Sequence, residues 1–385
     1  MPALVCALSV RPPLREGRWL RLEADLRVGR LSPRRIWFEV ETPDERVPEP
    51  DARPFVLASL VAAMRAGLPL EVDAPLDEVS RRNLCLWQGA FAAWRPALLS
   101  KVEIRAASSP PLVPARARVT AFSGGADSHY TLAKAGAVGL PLDAGALVHG
   151  FDIPLGDGEA FERAFSRVSE TLSRHGLRSH RIRTNARELD RALHLSWQHE
   201  THGPYLAAAL ACLAPWYGSA IIPSSFGHEH PVLPWASNAL TDPLLGGEGQ
   251  GVIHHGGERM RVEKMLELAG DAAFARAARV CYLNDRKDAN CGQCYKCATL
   301  QVAFWASGVL HPDAFPARAS LEDLSKMDLP KASYRYTYGV LAQKAEAAGL
   351  QDVAAALRLA LEREESRHRP AGAGLLAWLR RLPMR

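Results

Sequence analysis

Two short stretches of the chain carry residue types and spacings able to do chemistry. In the first, Ser123-Gly124-Gly125-Ala126-Asp127-Ser128 follows the apolar run Val119 to Phe122 and precedes a helical pattern from Tyr130 to Ala135, so it reads as strand, tight turn, helix. Gly124 and Gly125 lack a Cβ and let the backbone turn sharply against a ligand, while successive N–H groups and the helix N-terminus attract an anion. Ser123 and Ser128 add hydroxyl donors. Asp127 would be repelled by bare phosphate, which leaves it two roles, holding Mg²⁺ against phosphates or capping the helix. The loop has no Gly-Lys-Ser/Thr and is not a Walker A site. A helix-capping turn in an α/β protein is the bland alternative. In the second stretch, Cys281, Cys291, Cys294 and Cys297 are spaced C-x9-C-x2-C-x2-C, a pattern that can close a tetrahedral Zn²⁺ site with no open position. A redox pair or an iron–sulfur cluster would also use thiolates, but four on a short loop fit structural zinc more simply. Gly292 lets the chain turn between ligands. Full thiolate ligation argues against water activation there and assigns the metal the task of fastening the loop.

Other candidates are weaker. Ser224-Ser225-Phe226-Gly227-His228-Glu229-His230 follows a predicted strand, where open α/β sheets place ligand contacts; His228 or Glu229 could orient or deprotonate an attacking amine, and a polar surface loop is the alternative. Arg286 and Lys287 could pair with an anion or form a solvated face. His254 and His255, beside Gly256 and Gly257, have no matching metal ligands and read as a flexible loop. Tyr334, Tyr336 and Tyr338 alternate as in a strand, with packing as their use.

The elements that must position these groups follow from periodicity. Leu20, Leu22, Ala24 and Leu26 alternate with polar residues, as do Ile36, Phe38 and Val40; helical stretches run from Phe55 to Arg65 and from Asp77 to Trp94, and Val102 to Arg105 returns as a strand. Residues 1–107 therefore read as a small α+β domain. Residues 108–115, with Pro110, Pro111 and Pro114, read as a linker, because proline fixes φ and restricts its predecessor. Strands then alternate with helices: Val119 to Phe122, Gly145 to Phe151, Ser179 to Ile182 and Ser219 to Pro223, with Phe161 to Arg174 as a crossover helix and a further helix between Pro204 and Gly218. This predicts an α/β fold with a parallel sheet and helices on both faces over residues 116–309. Residues 310–385 read as a helical extension in which Val353, Ala356, Leu357, Ala360 and Leu361 form one packing stripe.

The 385 residues are 48% hydrophobic, enough for a large core, and carry a net charge of +5 with no tract of like charge. Nucleic-acid binding is permitted without being indicated. No apolar run is long enough to span a bilayer and no secretory signal pattern opens the chain, so a cytoplasmic location is expected. Seven cysteines make an odd inventory for a disulfide framework, and Cys6, Cys85 and Cys212 lie in apolar surroundings suited to packing.

Ser-Gly-Gly-x-Asp-Ser after a first strand resembles the PP-loop of the ATP pyrophosphatase superfamily. Together with the late Cys281 and Asn290-Cys291-Gly292-Gln293-Cys294-Tyr295-Lys296-Cys297 block, it resembles 7-cyano-7-deazaguanine synthase and its relatives over roughly residues 116–307. The resemblance implies an adenine nucleotide alpha hydrolase-like fold, ATP with Mg²⁺, and Ser123, Gly124, Gly125, Asp127 and Ser128 as the nucleotide loop. His149, at the end of the second strand, would lie near adenine or ribose, unless it is a core histidine. Arg261 and Lys264 belong to a block similar to one that precedes the cysteines in relatives; either could pair with phosphate or a carboxylate, a solvated helix face being the alternative. The implied activity is a carbon–nitrogen ligase. It adenylates the carboxylate of 7-carboxy-7-deazaguanine, lets ammonia displace AMP, and dehydrates the amide with a second ATP. Related enzymes in antiviral gene clusters suggest a variant in which a protein amine captures the adenylate. Sulfur or amine insertion into tRNA would favour a basic surface and a catalytic cysteine near the loop, and neither is evident; a non-catalytic nucleotide-binding scaffold fits poorly with the intact Asp127. The first hundred residues and the C-terminal helices are absent from the minimal synthase, leaving partner recognition or dimerisation as their uses.

Overall fold

The computed structural model describes residues 4–110, 112–228, 234–281 and 283–368. It divides into two compact units, Met1–Lys264 with Ala277–Ala289, and Met265–Arg276 with Asn290–Arg385.

The first unit is built on one sheet. Its strands are β1 (Cys6–Val10), β2 (Leu14–Glu16), β3 (Trp19–Val28), β4 (Arg34–Glu41), β5 (Leu70–Val72), β6 (Ile104–Arg105), β7 (Arg118–Ala121), β8 (Ala144–His149), β9 (Arg178–Thr184), β10 (Ser219–Pro223) and β11 (Gly251–His255). They lie in the order β11-β10-β7-β8-β9-β4-β3-β1-β5-β6, with β2 beside β3. The strands from β7 to β11 are all parallel. Helices α1 (Arg53–Ala66), α2 (Glu78–Trp94), α3 (Ala126–Lys134), α4 (Gly158–Arg174), α5 (Glu188–Leu193) and α6 (His202–Ala211) flank the sheet. Strand alternation sorts the core into two layers: Ala144, Ala146 and Val148 join a cluster containing α1 and α6, whereas Leu147 and Phe122 join Phe161, Phe165, Val168 and Leu172 of α4.

Residues 1–107, expected as a separate domain, supply strands to this same sheet. β4 pairs antiparallel with β9, matching Phe38 with Thr184 and Val40 with Ile182. His180 adds a side-chain tie, with Nδ1 2.8 Å from the Glu41 carbonyl and Nε2 2.7 Å from the Tyr217 hydroxyl. The alternating β3 and β4 were read correctly as strands, but periodicity names no pairing partner.

Other local differences have simple causes. The helix expected to run up to Gly218 begins as a π-helical turn, Trp197–Thr201, and α6 ends at Ala211. Gly218 serves a close approach instead, since a Cβ there would lie 1.9 Å from the Ala115 carbonyl oxygen. His254 and His255, expected in a flexible loop, are the last residues of β11.

The second unit is helical: α9 (Tyr295–Ala306), α10 (Leu321–Lys326), α11 (Ala332–Ala347) and α12 (Gln351–His368), preceded along the chain by α7 (Arg261–Leu268) and α8 (Ala272–Ala277). Val353, Ala356, Leu357 and Ala360 are buried on α12 as the stripe predicted. Tyr334, Tyr336 and Tyr338 lie on α11 and not on a strand, and the four-residue spacing sets Tyr334 and Tyr338 in a stack with Tyr295. Among the described residues no helix is long and apolar enough to cross a membrane. Glu229, His230 and residues 369–385 of the expected helical extension lie outside the described residues.

Candidate functional site

The chain leaves β7 for β8 and β9 on one side, then returns to β10 and β11 on the other. The order thus reverses between β7 and β10, the place where open α/β sheets form a crevice beyond the carboxyl ends of their strands. The Ser123–Ser128 loop leaves β7 at this point and Ser224 leaves β10. A cavity there is lined by Ser123, Asp127, Ser128 and Arg279 together with Ala121 and Pro223, the last residues of β7 and β10, and with Ala146 and Val148 of β8.

The loop has the backbone its glycines suggested. Gly124 adopts φ 78°, and Gly125 is the N-cap of α3. The Gly125 amide bonds the Ser123 hydroxyl oxygen at 3.3 Å, and the Ser128 hydroxyl donates to the Gly125 carbonyl at 2.9 Å. Asp127 does not take the capping position. Its carboxylate accepts from Arg261 at 2.5 Å and lies 3.7 Å from the Lys264 ammonium. Lys264 is wholly buried and donates to the Ser224 carbonyl at 2.7 Å, so one side chain ties the loop after β10 to the loop after β7. Burial lowers the Lys264 pKa against the opposing pull of Asp127, and Arg261 lowers it further. The pairing of Arg261 and Lys264 with Asp127 is not the geometry of a solvated helix face.

His149 and His228 have different surroundings. His149 stacks on Phe161 at 4.4 Å and its Nε2 lies 2.9 Å from the Pro154 carbonyl, on the α4 side of the sheet. Burial depresses its pKa. It is Phe151 and Asp152, just beyond it, that line the cavity. His228 is exposed, and its backbone N–H donates to the Gly257 carbonyl at 2.6 Å. Its ring rests on Gly257, where a Cβ would lie 2.5 Å from the imidazole.

Two arrangements escaped sequence reasoning. Arg279 is nearly buried, its backbone N–H donates to the Gly124 carbonyl at 2.8 Å, and its Nε donates to the Ser123 carbonyl at 3.2 Å. It ties down the Ser123–Gly124 turn, yet nothing in its spacing to that turn announces it. Asp242, fully buried, accepts from the Ser237 hydroxyl at 2.7 Å and the Asn238 N–H at 3.1 Å and orients His254 Nδ1 at 2.8 Å. The nearby His255 instead meets the Thr131 hydroxyl at 3.0 Å.

The cysteines converge as their spacing predicted. One sulfur from each of Cys281, Cys291, Cys294 and Cys297 lies within 4.8 Å of the other three. Cys291 and Cys297 sulfurs are 3.8 Å apart, close to the edge of a tetrahedron with metal–sulfur bonds of about 2.3 Å. Backbone N–H groups of Asn284 and Cys294 donate to Cys281 and Cys291 sulfurs, each at 3.3 Å, as suits thiolates. Gly292 has φ 84°, and a Cβ would lie 2.4 Å from the Ala317 carbonyl. The cluster can bind a metal such as zinc. Comparison with family models, with curated proteins and with solved structures gives no match.

Proposed function

We propose that the chain is an ATP-dependent ligase that adenylates the carboxylate of a 7-carboxy-7-deazaguanine-like acid and passes the acyl group to ammonia, giving an amide and, with a second ATP, a nitrile. The observation that carries this reading is the Ser123–Ser128 loop at the reversal of strand order, with Asp127, Arg261 and Lys264 gathered on it. The late four-cysteine block supports the narrower assignment through its resemblance to the synthases.

ATP is a co-substrate here. Backbone N–H groups of the loop and the N-terminus of α3 would bind its phosphates, and the cations of Arg261 and Lys264 would offset their charge. A carboxylate oxygen of the acid attacks the α-phosphorus, the bond to pyrophosphate breaks, and the poor leaving oxide of the acid becomes part of a good leaving phosphate. The nitrogen of ammonia then attacks the acyl carbon and AMP departs. Mg²⁺ would supply charge neutralisation on the phosphates, and Asp127 is the carboxylate beside the loop suited to hold it. Zn²⁺ on four thiolates has no open position and would fasten its loop.

The test incubates the protein with ATP, Mg²⁺, 7-carboxy-7-deazaguanine and ammonia, follows pyrophosphate release, and identifies products by mass spectrometry. Amide or nitrile is expected in the wild type. Asp127→Asn, which removes the charge and keeps the shape, lowers turnover by about 100-fold or more. Absence of any ATP binding in the presence of Mg²⁺ overturns the reading.

A further inference from the structure

The cavity that receives the phosphate-type loop has a second lining of a different kind, made by Phe151, Trp197 and His202. The rings of Phe151 and Trp197 are 5.0 Å apart and inclined at 55°, and those of Trp197 and His202 are 5.0 Å apart and nearly edge-on. Beside them lie Ala121, the last residue of β7, and Ala146 of β8, whose small side chains leave room beside those rings. Flat rings over a small-residue floor suit a flat ligand.

The backbone that presents this wall is unusual. Trp197 opens the π-helical turn Trp197–Thr201, a rare conformation found mostly at functional sites. Three residues earlier His194 has φ 53°, the sole non-glycine residue with positive φ among those described. Conformations of this kind persist only where their surroundings hold them.

Ser196 and Glu200 bond across the turn itself, and Arg187 packs against the wall that it presents. Its guanidinium lies over the Trp197 ring at 4.4 Å, donates to the Phe151 carbonyl at 3.0 Å, and stands 3.6 Å from the Asp190 carboxylate. One cation thus couples both aromatic walls and is itself anchored by a nearly buried acid.

We infer that Phe151 and Trp197 form a stacking subsite for the planar ring of a purine-like ligand, with Arg187 as the residue that positions it. Only the identity of that ligand rests on the proposed function. Two molecules of that function carry such a ring, ATP and the deazaguanine acid.

Isothermal titration of the full chain with each probe separately, ATP with Mg²⁺ and 7-carboxy-7-deazaguanine, distinguishes them. Trp197→Ala is expected to weaken one probe by roughly fivefold or more, the loss typical of a base stacked on an aromatic side chain, and to leave the other within about twofold. Trp197→Phe retains most of the affinity. Arg187→Lys weakens the same probe, because an ammonium cannot both lie flat on the indole and donate in plane to Phe151, and it raises KM for that ligand more than it lowers kcat. The probe that responds names the ring. Unchanged affinity for both probes in Trp197→Ala, equal weakening of both with a lowered melting temperature, or equal losses in Trp197→Ala and Trp197→Phe overturns the subsite. An unaltered response in Arg187→Lys removes the positioning role. A wild-type protein that binds a ring at this wall yet releases no pyrophosphate would sink the ligase reading and leave the subsite standing.

Discussion

Asp190 is nearly buried beside Arg187, and burial pushes its carboxyl up to about 6, outweighing the opposing pull of Thr201, Arg187 and Tyr205. An acid whose folded pKa exceeds its unfolded value binds more protons in the native state. Its neutral form therefore favours folding at low pH, and that benefit disappears as pH rises through about 6. Asp190→Asn should remove this dependence. The unfolding free energy of the variant is expected to gain on that of the wild type between pH 4 and pH 7, by an amount on the order of 2–3 kcal/mol; parallel stability–pH profiles across that range would refute it. Asp127 presents the opposite problem. Its charge faces the buried ammonium of Lys264, so removing it leaves a cation with little compensation. For that reason Asp127→Asn is expected to cost stability as well as turnover, and the Asp127→Asn, Lys264→Met double variant should recover melting temperature without recovering activity.

At the scale of elements, the joint between the segment before β7 and the start of β10 depends on Gly218. A side chain there would collide with the Ala115 carbonyl, which is backbone and cannot rotate aside. Gly218→Ala is expected to destabilise the fold by about 2–4 kcal/mol, read as a fall in the denaturation midpoint at constant slope. The four-cysteine loop is expected to make a comparable demand through a bound metal. Cys294→Ser, or treatment with a strong chelator, should release zinc measurable by elemental analysis and lower the melting temperature. An unchanged melting temperature would count against a structural metal. The cysteine loop and the turn after β7, unlike the Gly218 joint, carried local signals. Gly292 and the cysteine spacing marked a turn between ligands, and Gly124 with Gly125 marked a tight turn into a helix, because such features depend on the backbone of a few consecutive residues.

For the molecule as a whole, the continuity of the sheet from β11 to β6 makes the first hundred residues part of the scaffold. Phe38 and Val40 of β4 pair with β9, and one apolar cluster joins Phe55, Val61 and Trp87 to Tyr205, Leu210 and Ile222. A chain beginning at residue 116 would expose the edge of β9 and one side of that cluster. It is expected to aggregate or lack a cooperative melting transition, as checked by expression of residues 116–385 and calorimetry. What the amino-acid sequence determined alone is local: the tight strand-to-helix turn from Ser123 to Ser128, the four-thiol cluster, the strand alternation of β3 and β4, and the buried stripe of α12. Each is set by neighbours within one or two turns of chain or by a single periodicity. Tertiary structure alone decided that β4 pairs with β9, that Arg279 braces the Gly124 turn, that Lys264 meets Asp127, and that Trp197 and Phe151 face one cavity. Those contacts join residues far apart in the chain, and their formation depends on sheet order and helix packing, which no local spacing specifies.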